Sequence, residues 1–569
     1  MTGDEVIKLR DALRSQRAPF ESHWNELAAV FTPFRRIGGE LPDLVAAAEI
    51  HDTTARHAAE IFANGLCALI FPREETWFEL QPPKALADDD EAVKFYREAS
   101  ETQRSYLEAS NFYEEAQESL IESPVFGTCS LYCGELDEET DELCFLHQPI
   151  GSYYIGENAR GRVNTHVRDL FLTADQAAEE FGADALPQKL SSKVGTPAGM
   201  TEKHGFIHVV TKRKGPPDAG LPESIGNRPF IDVVVDVESK SVIRRSGAWE
   251  LPFAAHRYRR YGKTVWGFGP GCLALGDARQ LSFLNELADL GTEKEVFPPL
   301  LAAASLEGEI AQGALEVTYY DEHSSGLSHE SVRPLHQAGR LQTLQWRMEA
   351  KSGAIDRAFY VDLFKLFSRR VMERGPMTAT EANLVAGEKL TQFSPVYGRI
   401  MSEMVDAVLS RTFGVLFRAG KFGRPPASVA RVLGDGRTQV ALPSIAYRNR
   451  IALAMKAKEN GALLQFFEVM LPVLQVFPQM AQSTWNALEA PVMLRDLMRN
   501  SGTPERWIAS LKDMEARQKA DAEAAMQRAA MENAEMATKA AGNLGKAPAS
   551  VMEGMGMGAM GGQLQSNKS

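Results

Sequence analysis

The 569-residue chain is expected to fold as an α+β protein, predominantly helical, built as an elongated subunit. Three observations lead there. Apolar residues recur at helical spacing near both ends of the chain. Residues 120–260 hold short β-branched and aromatic segments separated by Gly, Pro, Asn and Asp, the pattern of a mainly antiparallel sheet. A glycine-rich turn, YGKTVWGFGPG at Tyr261–Gly271, then leads into helix, short insert, helix, polar loop and one very long helix ending near Gly420. That last order contains no active-site signature. It reads as a subunit shaped to pack beside copies of itself.

Composition bounds the function. Hydrophobic residues make up 44 %, enough for sizeable cores. Sixty-two basic residues against 75 acidic give a net charge of −13, so tight sequence-independent grip on DNA is disfavoured. An acidic wall that surrounds DNA without adhering is compatible with the same charge. Five cysteines, an odd and sparse set, argue against a disulfide scaffold and for a reducing compartment. The polar N-terminal segment has no apolar signal core, and no run is long enough to span a bilayer, so no membrane partner is expected.

The elements follow in order. Phe20, Trp24, Leu27, Ala28 and Phe31 make one buried helical face that Pro33 ends. Asp52 is placed to cap the next helix, which stops before Pro72. TWFEL alternates as a short strand, and a further helix is expected over about 90–119. Within the sheet block, Thr173 and Gln176 form a capping box and Gly182 a stop for an intervening helix. Helices are expected at Asp277–Glu295, with Leu281, Leu284 and Ala288 on one face, and at Gly339–Phe359. Between them Leu300 to about Leu335 includes a strand, ALEVTYYDE. The linker Leu366–Met377 should bend, and the long helix from Thr380 carries Pro395 as an expected kink. Beyond Arg424-Pro425-Pro426 a short strand is expected near Val440, with helices from Tyr447 to Asn500 and from Thr503 to about Ala541. Residues 542–569 are low-complexity and expected to be disordered.

Motifs that suggest chemistry have plainer readings. WGFGPG is no phosphate loop: Gly267, Gly269 and Gly271 flank Pro270 in a tight turn. Cys129, Cys133, Cys144 and His147 supply four potential metal ligands, yet the intervening residues alternate as strands and cysteine is often a small buried hydrophobe. His323, His329 and His336 lie among Glu307, Glu309, Asp321, Glu322 and Glu330, which read as a solvated or partner-facing surface. Three basic clusters, Lys212-Arg213-Lys214, Arg257/Arg259/Arg260 with Lys263, and Arg369-Arg370, read first as solvated faces or as salt-bridge partners across a subunit boundary. Arg369 and Arg370 stand apart because a linker between helices is placed to touch a phosphate backbone without reading bases.

Several segments, taken in order, resemble the portal, or head-to-tail connector, proteins of short-tailed bacteriophages. They are ESHWNELAAVFTP, DTTARHAAEIFANGLCALIFPREETWFEL, SPVFGTCSLYCGE, RDLFLTADQAAEEFG, YGKTVWGFGPG with LGDARQLSFLNEL, and MTATEANLVAGEKLTQFSPVYGRIMSEMVDAVLSRTFGVLFRAG. The likeness runs from about Leu9 to Glu515. It departs from the family at WGFGPG, where a Tyr-Gly-Arg-Gly-Pro form is usual, and in the Met/Gly tail.

The resemblance implies a ring, usually a dodecamer, around a DNA channel at one capsid vertex, with no cofactor and no catalysis. It implies a wing at 1–276, stem helices at 277–295 and 339–365 around a clip at 296–338, and a tunnel loop at 366–377. A long wing helix at 378–426, a crown at 427–541 and a free tail complete the layout. The tunnel-loop residues facing DNA would be Ser368, Arg369, Arg370, Glu373 and Arg374. Clip contacts to the terminase large subunit, then to a tail adaptor, would come from Glu307, Glu309, Tyr319, Tyr320, Asp321 and Glu322. Capsid and scaffolding proteins are the other implied partners, in the virion and, during assembly, in the host cytoplasm. The competing reading is a metal-dependent nuclease or hydrolase using the Cys/His cluster or the acidic insert.

Overall fold

The computed structural model of the chain describes residues 1–35, 37, 50–87, 89–137, 139–216, 221–296, 300–302, 332–334, 341–368, 393–432, 438–448 and 511–544, with isolated positions from 468 to 498. Two compact units are present, Met1–Met455 and Lys456–Ser569.

In the first unit, α1 (Gly3–Phe31) opens with a capping box between Thr2 and Glu5. It buries two different faces. Val6 and Leu13 pack on a sheet, while Trp24, Leu27, Ala28 and Phe31 enter the main core. Phe20 is only partly buried, at the margin of that core. Next, α2 (Thr54–Ile70) has the Asp52 carboxylate accepting from Thr54 N at 3.0 Å. Its Phe62 ring meets Phe359, Phe364 and Phe393 edge-on, so α2 anchors three later segments.

The strand β1 (Phe78–Gln81) precedes α3 (Asp90–Ala109) and α4 (Phe112–Phe126). One helix was expected over 90–119, and two occur. Ser110 is extended (ψ 174°), and Asn111 leaves the helix to serve another element. Its side chain donates to Phe145 O at 2.8 Å and accepts from Phe145 N at 2.9 Å, imitating a strand against an open sheet edge.

Two antiparallel sheets follow. The strands β2 (Thr128–Leu136), β3 (Leu143–Gln148) and β9 (Phe253–Arg257) form one, in the order β3-β2-β9. The other is a five-stranded meander of β4 (Tyr153–Glu157), β5 (Val163–Thr173), β6 (Lys203–Lys212), β7 (Phe230–Asp236) and β8 (Val242–Ala248). Strand alternation splits its residues between faces. Ile207, Val209, Val233 and Val235 meet α1, whereas Phe206 and Val234 meet Ala174 and Ala177 of α5 (Ala174–Phe181). The expected Thr173–Gln176 capping box and a positive φ at Gly182 (86°) bound α5.

The turn after β9 brings three glycines onto the α4–β2 junction. A Cβ on Gly267 would lie 2.1 Å from Gly127 O, and one on Gly269 2.2 Å from Pro124 O. Backbone therefore packs on backbone. The next helix, α6 (Pro270–Val296), starts seven residues before the expected Asp277, because proline is well suited to the first turn. Then come β10 (Leu300–Ala302) and β11 (Val332–Pro334), paired antiparallel. The expected ALEVTYYDE strand lies outside the described residues. Two helices follow, α7 (Leu341–Ala358) and α8 (Val361–Ser368), broken at Tyr360 with φ 52°.

Residues 393–400 are helical, Met401–Val405 is a π turn, and α9 (Asp406–Arg418) continues that helix to its end before Gly420 (φ 70°). The irregularity thus falls beyond Pro395, at a turn built around Glu403. Thr380–Thr391 lies outside the described residues. Two strands, β12 (Ala430–Val432) and β13 (Thr438–Val440), pair antiparallel. The last strand, β14 (Ser444–Tyr447), pairs with β1, so Tyr447 ends a strand where a helix was expected to begin. In the second unit, α10 spans Leu511–Leu544. The helices expected over 448–500, the start at Thr503 and the tail beyond 544 lie almost wholly outside the described residues.

Candidate functional site

The feature with functional character is the helix pair α6/α7 and the side chains that fix its base. Thr128 Oγ1 accepts from Gly267 N at 2.8 Å, which pins the turn feeding α6. Ala274, Leu275, Ala278, Leu281 and Leu284 are buried, as are Ile355 of α7 and the following Phe359. Lys351 Nζ donates to Asp277 Oδ1 at 2.7 Å across the pair, and Asn285 Nδ2 donates to Asp52 Oδ2 at 2.9 Å. Beyond Leu284, no described side chain of α6 is buried. Phe283 (57 % exposed), Leu287 (38 %) and Leu290 (45 %) recur at i, i+4 and i+7 and form an apolar stripe facing outward. Val296 and Trp346 are exposed on the same two helices. Only Leu281, Leu284 and Ala288 were expected as a face. The spacing of LSFLNELADL carries the second stripe as well.

The helical run 393–418 is latched to the sheets by the buried arginines Arg257 and Arg411 and by an outer pair at Arg418. Arg257 is 1 % exposed and donates to Glu403 Oε1 at 2.7 Å, Glu157 Oε2 at 2.9 Å and Gly161 O at 2.8 Å. Glu403 Oε2 also accepts from Arg257 N at 2.9 Å, so the π turn delivers one carboxylate to both backbone and guanidinium. Farther on, Arg411 bridges Glu250 (3.0 Å) and Glu135 (2.6 Å), and Arg418 forks onto Glu250 at 2.7 and 2.9 Å. Arg257 and Arg260, expected as solvated or intersubunit charges, are therefore paired within the chain.

The Cys/His set does not assemble a ligand cluster. Cys129 and Cys133 are buried on β2, where burial pushes both thiols up to about 12. Cys144 is exposed, and its position one residue from Phe145, the partner of Cys133, puts it on the opposite face. His147 instead lies 3.3 Å from Glu122, which also holds Arg35. Burial, with Arg35 nearby, brings His147 down to about 4. Among the described residues no group of three or more His, Cys, Asp and Glu is placed to hold a metal, and no helix is long and apolar enough to cross a membrane.

Ser368 is the last residue of α8. Arg369, Arg370, Glu373 and Arg374 lie outside the described residues, as do Glu307, Glu309, Tyr319, Tyr320, Asp321 and Glu322.

The chain matches the family described as "Bacteriophage head to tail connecting protein" over residues 3–508. It belongs to that family. The sequence of this connector is 26 % identical over 434 residues to the portal protein of Salmonella phage epsilon15, covering 74 % of this chain and 76 % of that one. It is 25 % identical over 431 residues to the probable portal protein of Bordetella phage BPP-1, covering 74 % and 75 %. Among solved structures, the connector is similar to a chain of a native gene transfer agent virion, with TM-score 0.32, 11 % identity, and 78 % and 88 % coverage. A chain from the neck of an empty particle of that kind gives TM-score 0.30, 11 % identity, and 69 % and 81 % coverage. The nuclease reading finds no support in the family or in the placement of Cys133 and His147. The connector is a component of phage particles.

Proposed function

We propose that the connector is the repeating subunit of a ring, a dodecamer, at one capsid vertex, through which double-stranded DNA enters and leaves the head. The observation carrying this is the outward stripe Phe283–Leu287–Leu290 on α6, with Trp346 exposed on the paired helix α7. An apolar face of that length on a soluble particle protein calls for a partner. A second copy supplies one at every position when a head-to-tail contact closes under rotation.

In this reading residues 1–276 are the wing, the two helices 277–295 and 339–365 the stem, and 296–338 the clip. The strand pair β10/β11 is too small to hold a core alone and gains its stability from neighbouring copies. The clip, through Glu307, Glu309, Tyr319, Tyr320, Asp321 and Glu322, receives the terminase large subunit and then a tail adaptor. Residues 366–377, with Ser368, Arg369, Arg370, Glu373 and Arg374, form the tunnel loop against DNA. The segment 378–426 braces the wing, 427–541 forms the crown, and capsid and scaffolding proteins meet the wing. The subunit is passive: it carries no catalytic centre, and the packaging energy comes from the terminase. It is made in the host cytoplasm and retained in the virion.

Negative-stain imaging of the purified full-length chain tests this. Closed rings with a central channel are expected, and monodisperse single subunits at every concentration would contradict it.

A further inference from the structure

The connector has a net charge of −13, yet two of its loops concentrate positive charge without any acid of their own. One is Asn158-Ala159-Arg160-Gly161-Arg162, the tip between β4 and β5. The other is Arg259-Arg260-Tyr261-Gly262-Lys263-Thr264, which leads from β9 toward α6. The structure brings them together. Arg260 Nη1 lies against Gly161, close enough that a Cβ there would be 2.6 Å away, and Gly161 holds φ 73°. Arg257 Nη2 ties the same Gly161 carbonyl at 2.8 Å. Arg259 donates to Tyr261 Oη at 3.3 Å, and the Tyr261 ring rests edge-on against Phe268. Both loops are therefore fixed before any partner arrives.

Glu157, the acid at the base of this surface, is engaged by Arg257 and Arg260 at 2.9 Å each. Among the described residues, Arg160, Arg162, Arg259 and Lys263 have no ion pair, and all four side chains are exposed. Tyr261 is 49 % exposed beside them. Four exposed cations without a carboxylate partner on the two joined loops, three of them arginines whose planar forks match phosphate oxygens, suit a polyanion.

We propose that the loop pair 158–162 and 259–264 is a contact surface for the phosphate backbone of duplex DNA. This deepens the conduit reading and rests on it, since that reading supplies the duplex. The surface positions the duplex without reading bases, and its grip weakens with salt because binding releases counterions. Each phosphate neutralised contributes about −0.9 to the slope of log affinity against log salt, so four give about −3.6. Binding through one such surface then falls about a hundredfold between about 50 and 200 mM salt.

The experiment measures binding of the full-length protein to a mixed-sequence duplex across a salt series. The variants are Arg160→Gln/Arg162→Gln/Arg259→Gln/Lys263→Gln and, as a control basic cluster, Lys212→Gln/Lys214→Gln. The four-residue variant is expected to bind at least tenfold more weakly near physiological salt, with a salt slope shallower by about 0.9 for each phosphate no longer neutralised. The control should match the parent. Equal affinity and slope for the four-residue variant and the parent would overturn the proposal. So would polyglutamate of matched charge displacing the duplex as well as DNA itself does, which would mark the surface as one for an acidic protein. The same samples are imaged. Rings with unaltered DNA binding remove only this surface, whereas a parent protein without rings removes the conduit reading.

Discussion

Replacing Phe283 and Leu290 with glutamine separates folding from assembly. Neither side chain is buried in the single subunit, where they are 57 % and 45 % exposed. Full burial of a Phe or Leu side chain is worth about 1.5–3 kcal/mol. Covering the exposed half of both in a ring therefore contributes about 2 kcal/mol to each interface. Glutamine is a good helix former, so α6 itself loses little. At about 1.4 kcal/mol per factor of ten, the subunit concentration needed for assembly should rise about thirtyfold. Mass photometry over a dilution series reads that midpoint, and a thermal melt of dissociated subunits reads stability. The expected result is a shifted assembly midpoint with an unchanged melt. An unchanged assembly midpoint would refute the stripe as an interface, and a lowered melt would show that these residues already support the single subunit.

Glu403→Gln should destabilise the compact unit Met1–Met455. Removing one partner of a buried pair costs about 3–5 kcal/mol, and because Glu157 stays on Arg257 the loss expected here is about 2–3 kcal/mol. Urea unfolding checks it, and a change below about 0.5 kcal/mol would show the latch to be idle. Acid should also weaken the fold. Burial brings His256 down to about 3 and His147 to about 4, from an ordinary 6.5. Between those values the unfolded chain binds the extra protons. Their contribution is therefore complete above pH 6.5 and is lost as pH falls, at up to about 1.4 kcal/mol per unit for each histidine. Urea midpoints that do not differ between about pH 7 and 5 would contradict this. Finally, Arg369→Glu with Arg370→Glu should leave rings intact and reduce the DNA retained per particle. Particles with full DNA content would remove those residues from the channel contact.

Much of the fold is legible in the sequence because its signals are local. The Thr173–Gln176 box, Gly182, the i, i+4 face of α1 and the alternation of β5 to β7 each act within a few residues. What escapes depends on distant partners. Ser110 breaks the expected helix because Asn111 is spent on the β3 edge, 34 residues away. The π turn exists where Glu403 meets Arg257, 146 residues earlier. Tyr447 joins a strand because β1 offers an edge. The start of α6 differs from the expected position because Pro270 begins a helix instead of ending a turn. The candidate site divides the same way. The outward stripe is readable from spacing alone, whereas the Arg160–Lys263 surface joins loops that only the folded sheet brings together.

In the proposed assembly this polypeptide completes itself with identical copies around a channel. The most direct measurement is the native mass of the assembled full-length protein. One dominant species at twelve times the subunit mass is predicted, and a lone subunit that persists at the highest concentration reached would contradict the account.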